Sequence, residues 1–156
     1  MRRSDTSIKT ERLWLGQIDE TDAEAIVSLR ADKEVYRYFL NPVKISAADH
    51  KKWYEEQYKD DRNRIDWVAV GDYSGDFIGV YGAKKVDENT VEVSYITKPD
   101  KQGYGYAKEA LESIIEWCME NWDFSILIAE VHHDNKSSIE FIKKPGFYEC
   151  GYRDAF

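Results

Sequence analysis

The chain has little of what marks several protein classes. Only two of its 156 residues are cysteine, Cys118 and Cys150, and they share no CxxC or Cys/His spacing. The sequence therefore predicts neither a disulfide framework nor a zinc site, and no metal is expected. No apolar run approaches the roughly eighteen residues that cross a bilayer, and none follows the arginines near the start. These absences favour a cytoplasmic protein with no membrane partner.

Positive charge is also in short supply. Lys and Arg total 22 against 30 for Asp and Glu, so the net charge is −8. Binding to nucleic acid in general needs a basic surface, so no nucleic-acid partner is expected and cationic partners are favoured. Proline is rare, with three residues, and no linker or internal repeat divides the chain. Residues 1–156 are therefore predicted to form a single domain.

Hydrophobic periodicity predicts an α/β fold with the element order βααβββαβαβ. An antiparallel meander is expected to lead into a strand, helix, strand crossover, which makes the sheet mixed. Strands are predicted at 11–18, 65–72, 76–87, 91–97, 124–133 and 148–156. Helices are predicted at 21–29, 46–60, 105–121 and 135–144.

The stretch "TKPDKQGYGYAKEAL" (97–111) places Gly103, Gly105 and Ala107 alternately at the start of a helix. Unpaired N–H groups at a helix start attract anions, and small residues let a phosphate come close. The stretch lacks the GK[ST] ending of a Walker loop, and Lys108 stands where a dinucleotide fingerprint needs glycine. The alternative is a glycine-rich turn that merely enters a helix.

Two segments resemble the cofactor motifs of the GCN5-related N-acetyltransferase (GNAT) superfamily. Residues 102–107 resemble its Q/R-x-x-G-x-G/A motif, and "DNKSSIEFIKKPGF" (134–147) resembles its second segment. Residues 11–39 look like the branch that acetylates ribosomal-protein alanine, spermidine or amino sugars. The resemblance implies a mostly antiparallel, twisted sheet flanked by about four helices. The family's usual last strand is expected to be missing after Phe156, which would leave a sheet edge for a homodimer to cover.

The resemblance implies acetyl-coenzyme A (acetyl-CoA) as cosubstrate. Backbone groups of Tyr95, Ile96 and Thr97 would bind the thioester and the pantetheine arm. Asn135 and Ser138 would lie along the pantetheine side of the site. Lys101 and Lys108 could reach nucleotide phosphates. The backbone amides implied to hold the pyrophosphate are those of Gln102, Gly103, Tyr104, Gly105, Tyr106 and Ala107.

The implied reaction is direct acetyl transfer to an amine in a ternary complex, and it needs a base. Glu92 is the first candidate and Glu130 the second, although Glu92 could instead be a solvent-facing strand carboxylate. Backbone N–H groups of residues 95–97 are the expected oxyanion donors. Ile142 stands where the family often has a tyrosine that protonates the thiolate, which leaves Ser138, Tyr148, water or unassisted departure.

The resemblance implies that aromatic residues within 35–42 and 50–58 cover the acceptor site, with core packing as the alternative. The predicted substrate-binding residues are Tyr36, Tyr38, Phe39 and His50. The acceptor is expected to be a cationic amine, which could be a peptide amino terminus, a polyamine or an amino sugar. The rival functions are a CoA-binding sensor or remnant of the same fold and a small interaction module without a cofactor.

Overall fold

Six strands form one sheet in the computed structural model, which describes residues 6–39, 42–132 and 134–151. Neighbours from β1 to β5 pair antiparallel, and β6 joins the edge of β5 in parallel. The strands are β1 (Ile8–Lys9), β2 (Leu13–Gln17), β3 (Arg64–Gly71), β4 (Phe77–Lys85), β5 (Thr90–Thr97) and β6 (Ile126–Ile128).

Within the described residues, five α-helices accompany the sheet, which confirms the predicted mixed α/β fold and adds one helix to it. The connection from β5 to β6 runs through the long helix α4, as the parallel pairing requires. A π-helical turn, Tyr54–Tyr58, extends α3. The helices are α1 (Ala23–Ala31), α2 (Lys33–Tyr36), α3 (Ala47–Trp53), α4 (Tyr106–Asn121) and α5 (Lys136–Lys143).

Local sequence signals account for several helix ends. Ser46 begins α3 through a capping box with Asp49, whose N–H donates to Ser46 Oγ at 3.0 Å. The predicted box at 21–24 is shifted two residues, because Asp19 and Asp22 form it around a short 3-10 turn. After α5, Gly146 adopts a positive φ of 110°, consistent with the predicted stop.

The two faces of the sheet carry separate cores. The larger core packs Leu13, Trp67 and Tyr81 against the apolar side of α4, where Leu111 and Cys118 are fully buried. Burial raises the pKa of the Cys118 thiol to about 12, which fits a structural role. The smaller core joins the other face to the helical region of α1 and α3 through Ile18, Ile26, Tyr58 and Val68.

Two predicted strands differ in the structure. The strand expected at 124–133 is limited to Ile126–Ile128, because β6 separates from β5 after that point. The strand expected at 148–156 is not seen in 148–151, and residues 152–156 lie outside the described residues.

Candidate functional site

The sheet opens between β5 and β6. Their three paired positions end at Glu92 and Ile128, whereas β5 continues for five more residues to Thr97. Along those five residues β5 remains paired with β4 on its other side. A wedge-shaped gap between β5 and β6 therefore begins at Glu92 and widens toward the end of β5.

The hydrogen bonds to β4 determine which backbone groups face this wedge. Lys98 N–H donates to Ile78 O at 2.8 Å, and Val86 N–H donates to Thr90 O at 3.0 Å. The N–H and C=O groups of successive residues point alternately to the two edges of a strand, so those of the even-numbered residues of β5 point toward β4. The N–H and C=O groups of Val93, Tyr95 and Thr97 therefore face the wedge, and those of Ile96 face β4.

A glycine-containing loop closes the wide end of the wedge. It runs from a 3-10 turn at Pro99–Lys101 to Gly105, which immediately precedes α4. Gly103 and Gly105 have φ values of 85° and 82°, which side-chain-bearing residues rarely adopt. No described atom lies within 4 Å of a Cβ built on Gly103, so its conformation alone explains that glycine. The loop leads directly into the start of α4, where the first backbone amides have no carbonyl partner within the helix.

Side chains hold both ends of this loop. Gln102 Nε2 donates to Thr97 O at 3.2 Å and ties the loop to the end of β5. Arg12, from the β1–β2 hairpin, donates through Nη1 to Tyr104 O at 2.9 Å. Its Nε also donates to Glu109 Oε1 in α4 at 2.7 Å. No local sequence pattern marks Arg12 as functional, because both of its partners lie more than ninety residues away along the chain.

Helix α5 reaches across to β5 on the α4 side of the sheet. The hydroxyls of Ser138 and Tyr95 are 2.5 Å apart, and the Tyr95 ring packs edge-on against Phe141. Burial raises the pKa of Tyr95, so its hydroxyl keeps its proton near neutral pH. Asn135 begins α5, where its Oδ1 accepts from Ser138 N–H at 3.3 Å.

The sequence profile of the acetyltransferase (GNAT) domain family matches residues 12–148. The chain belongs to the GNAT acetyltransferase family. The uncharacterized N-acetyltransferase YoaA of Bacillus subtilis (strain 168) is 28% identical over 149 residues, covering 92% of this chain and 84% of that protein. YnaD of the same strain, also an uncharacterized N-acetyltransferase, is 25% identical over 145 residues, covering 93% and 84%.

A solved structure places this GNAT domain among similar folds. Spermidine N-acetyltransferase from Vibrio cholerae, in complex with CoA and spermine, has a TM-score of 0.81 and 17% identity, covering 91% of this chain and 84% of that one. At this identity the likeness establishes the fold and leaves the substrate open.

Glu92 lies at the narrow end of the wedge in this GNAT domain. It is half-buried, opposite Lys84 of β4 and beside Ile128 of β6. Its side chain shares the face of Asp66 and the α1–α3 region, whereas Tyr95 and Ser138 lie on the opposite face. Glu130 is exposed beyond the end of β6.

The predicted lysines all form exposed ion pairs. Lys101 Nζ lies 3.3 Å from Asp76, and Lys108 Nζ lies 3.7 Å from Glu112. Such surface pairs contribute little to stability, so either lysine can exchange its partner for another anion at little cost.

The aromatic residues predicted to contact the acceptor differ in their burial and in their neighbours. The Tyr38 ring lies 5.6 Å from the ring of His132, so the segment that follows α2 meets the segment that follows β6. Tyr36 and Phe39 are half-buried, and Arg30 lies over the Phe39 ring. His50 is only 4% exposed, and burial lowers its pKa. Its ring therefore belongs to the packing beneath α3, where it is too buried to contact an acceptor.

Within the described residues, no group of three or more His, Cys, Asp or Glu side chains could hold a metal ion. A helix long and apolar enough to cross a membrane is likewise absent from the part of the chain that the structure describes.

Proposed function

We propose that this GNAT domain is an acetyl-CoA-dependent N-acetyltransferase that acts on a primary amine. One observation carries the proposal: β5 leaves β6 at Glu92 and presents an open backbone edge that ends at the Gly103–Gly105 loop. An extended pantetheine arm carries amides that can bond to such an edge as a further strand would. The pyrophosphate at its other end suits amides at a helix start.

The residues that would hold acetyl-CoA follow from the backbone alternation. Tyr95 and Val93 have their N–H and C=O groups on the open edge, and we propose them for the pantetheine and thioester. Thr97 O already accepts from Gln102 Nε2, so Thr97 contributes its N–H. The amides of 102–107 remain proposed for the pyrophosphate, with Asn135 and Ser138 along the pantetheine side. Ile96 is not proposed to bind acetyl-CoA, because its N–H and C=O groups point toward β4, its partner strand.

Bound acetyl-CoA would supply an activated acetyl thioester. In the proposed reaction Glu92 removes a proton from the amine, directly or through a water, since an ammonium has no lone pair to attack with. A bond then forms between the amine nitrogen and the acetyl carbon, and the carbon–sulfur bond breaks. Tyr95 N–H is the proposed donor to the carbonyl oxygen, which gains negative charge during the transfer.

The paired hydroxyls of Ser138 and Tyr95 are the proposed hydrogen-bond donors to the departing thiolate. They lie on the face of the sheet opposite Glu92, so proton removal and thiolate stabilisation can occur on the two sides of the wedge. Tyr148 is 85% exposed and is a poorer candidate. Ile142 is buried in the larger core and has no proton to give.

A polyamine, a peptide amino terminus and an amino sugar remain the proposed acceptor classes. The chain's charge of −8 favours a cationic amine, and the similar Vibrio cholerae structure holds spermine. Tyr36 and Tyr38 lie in and just beyond α2, and Tyr38 approaches His132 beyond β6, so these tyrosines are proposed to contact the acceptor.

The test measures CoA thiol released from acetyl-CoA with a panel of spermidine, a short peptide with a free amino terminus, and glucosamine. We expect amine-dependent release with at least one class, and Glu92→Gln should reduce it while acetyl-CoA still binds by calorimetry. The matched control is Glu88→Gln, an exposed carboxylate in the β4–β5 turn. Binding of acetyl-CoA without turnover of any amine would instead favour a CoA-binding sensor or remnant. That alternative is suggested by Ile142, which stands where the family often has a proton-donating tyrosine.

Assembly as a homodimer and location in the cytoplasm stay predictions from the sequence. A light-scattering mass equal to one chain at micromolar concentration would contradict the homodimer.

A further inference from the structure

The guanidinium of Arg12 connects the β1–β2 hairpin with the glycine loop and α4. It donates to Tyr104 O at 2.9 Å and Glu109 Oε1 at 2.7 Å, and its Cζ lies 4.5 Å from the centre of the Tyr106 ring. Its Nη2 lies 3.4 Å from a Cβ built on Gly105. Arg12 thus contacts the backbone and side chains on both sides of Gly105.

Glu109 occupies an unfavourable place for a carboxylate in the proposed function. It lies in the first turn of α4, beside the amides proposed to bind the pyrophosphate. A negative charge there favours the helix but repels a second anion at the same terminus. Arg12 supplies the opposite charge, and Arg12 N–H and Thr10 Oγ1 also donate to Glu109 Oε2, at 2.9 and 2.5 Å.

We infer that Arg12 is a positioning residue for acetyl-CoA: it neutralises Glu109 and fixes the carbonyl of Tyr104, so that the amides of the loop receive phosphate. The inference rests on the proposed function and adds to it a residue from outside both cofactor motifs. Arg12 acts through Glu109 and the loop, and it takes no part in the transfer of the acetyl group.

The chain offers a matched control on the same hairpin. Lys9 forms an ion pair with Asp72 at 3.3 Å, and its side chain is 40% exposed, close to the 43% of Arg12. Lys9 Nζ also donates to the backbone carbonyl of Thr10 at 2.6 Å. The Lys9 side chain contacts Thr10 and Asp72, which both lie outside the glycine loop. Lys9→Gln therefore removes one positive charge from the hairpin and keeps the Thr10 and Arg12 groups that donate to Glu109.

The first experiment compares steady-state kinetics of Arg12→Gln, Arg12→Lys and Lys9→Gln. We expect Arg12→Gln to raise the KM for acetyl-CoA about tenfold, equivalent to about 1.4 kcal/mol, with kcat unchanged. Arg12→Lys keeps the charge and should recover part of this loss, although it cannot bind two acceptors in the same fork geometry. Lys9→Gln should match the wild type.

The second experiment separates charge from simple structural support. In Arg12→Gln/Glu109→Gln the repelling carboxylate is gone, so we expect the KM for acetyl-CoA to return most of the way to that of Glu109→Gln alone. A role limited to folding would make the double variant no better than Arg12→Gln. S-acetylpantetheine lacks the nucleotide and its phosphates, and its kcat/KM should be the same in Arg12→Gln and the wild type.

The outcomes distinguish this inference from the proposed function. If the wild type binds and uses acetyl-CoA but Arg12→Gln has an unchanged KM, the role of Arg12 is refuted and the proposed function stands. Equal losses with acetyl-CoA and S-acetylpantetheine would also refute it, since the effect would not depend on the phosphates. If the wild type neither binds nor uses acetyl-CoA, the proposed function fails, and the role of Arg12 fails with it.

Discussion

Replacement of Gly79 by alanine tests whether the close approach of β4 to the end of β5 shapes the wedge. Gly79 pairs with Thr97, the last residue of β5. A Cβ on Gly79 would collide with the carbonyl oxygen of Ile96 and would lie 3.0 Å from Thr97 Cα and from Tyr81 Oη. Two of these three neighbours are backbone atoms, which cannot rotate away, so the strands must separate.

The size of the effect follows from this geometry. Overpacking by one methyl group costs about 1–3 kcal/mol where the surroundings cannot relax. The shift would also stretch the buried hydrogen bond between Tyr81 Oη and Thr97 Oγ1, which is 2.6 Å long. We therefore expect Gly79→Ala to lower the free energy of unfolding by about 2 kcal/mol, or Tm by roughly 6 °C for a chain of this length.

Urea unfolding followed by tryptophan fluorescence measures the stability, and calorimetry measures acetyl-CoA affinity. Acetyl-CoA should bind less tightly to Gly79→Ala, because the displaced end of β5 borders the wedge. Gly151→Ala is the control, since that glycine is exposed and has no neighbour within 4 Å of a built Cβ. Equal stability of the two variants would show that the strand contact is not tight and would refute the reasoning.

Three further predictions concern other contacts. Trp67→Phe removes the donor to the buried carbonyl of Thr6, 2.7 Å away, and should lower the free energy of unfolding by about 1–3 kcal/mol, as measured in urea; an unchanged midpoint would mean that this hydrogen bond adds nothing. Burial raises the pKa of Glu109, but hydrogen bonds from Thr10 and Arg12 outweigh it and lower that pKa. The wild type should therefore be more stable than Glu109→Gln above the ordinary carboxyl pKa of about 4.3, and thermal unfolding should show the difference disappearing as the pH falls through the lowered pKa; a constant difference from pH 7 to pH 3 would contradict this. Glu92→Gln should reduce kcat by about 100-fold or more without weakening acetyl-CoA binding, and a kcat near that of the wild type would exclude Glu92 as the base.

The sequence alone was enough to predict the main elements and the family. The amphipathic period of 106–121, the alternation in the meander and the turn residues between strands are local signals, and the structure forms α4, β3, β4 and β5 where they predict. The spacing of Gly103 and Gly105 is also a local signal, and it predicted the loop at the start of α4.

Only the tertiary structure decided how these parts meet. The separation of β5 from β6 after Glu92 depends on pairing between distant segments. For this reason β6 covers only Ile126–Ile128, whereas hydrophobicity alone predicted a strand at 124–133. The sequence suggested that Gly103 was small to admit a ligand, whereas the structure shows a positive φ as the local reason. Arg12 and Glu109 are 97 residues apart and carry no local pattern, so their contact exists only because the sheet brings the first hairpin beside α4. Short-range periodicity determines elements, but long-range packing determines which side chains share a site.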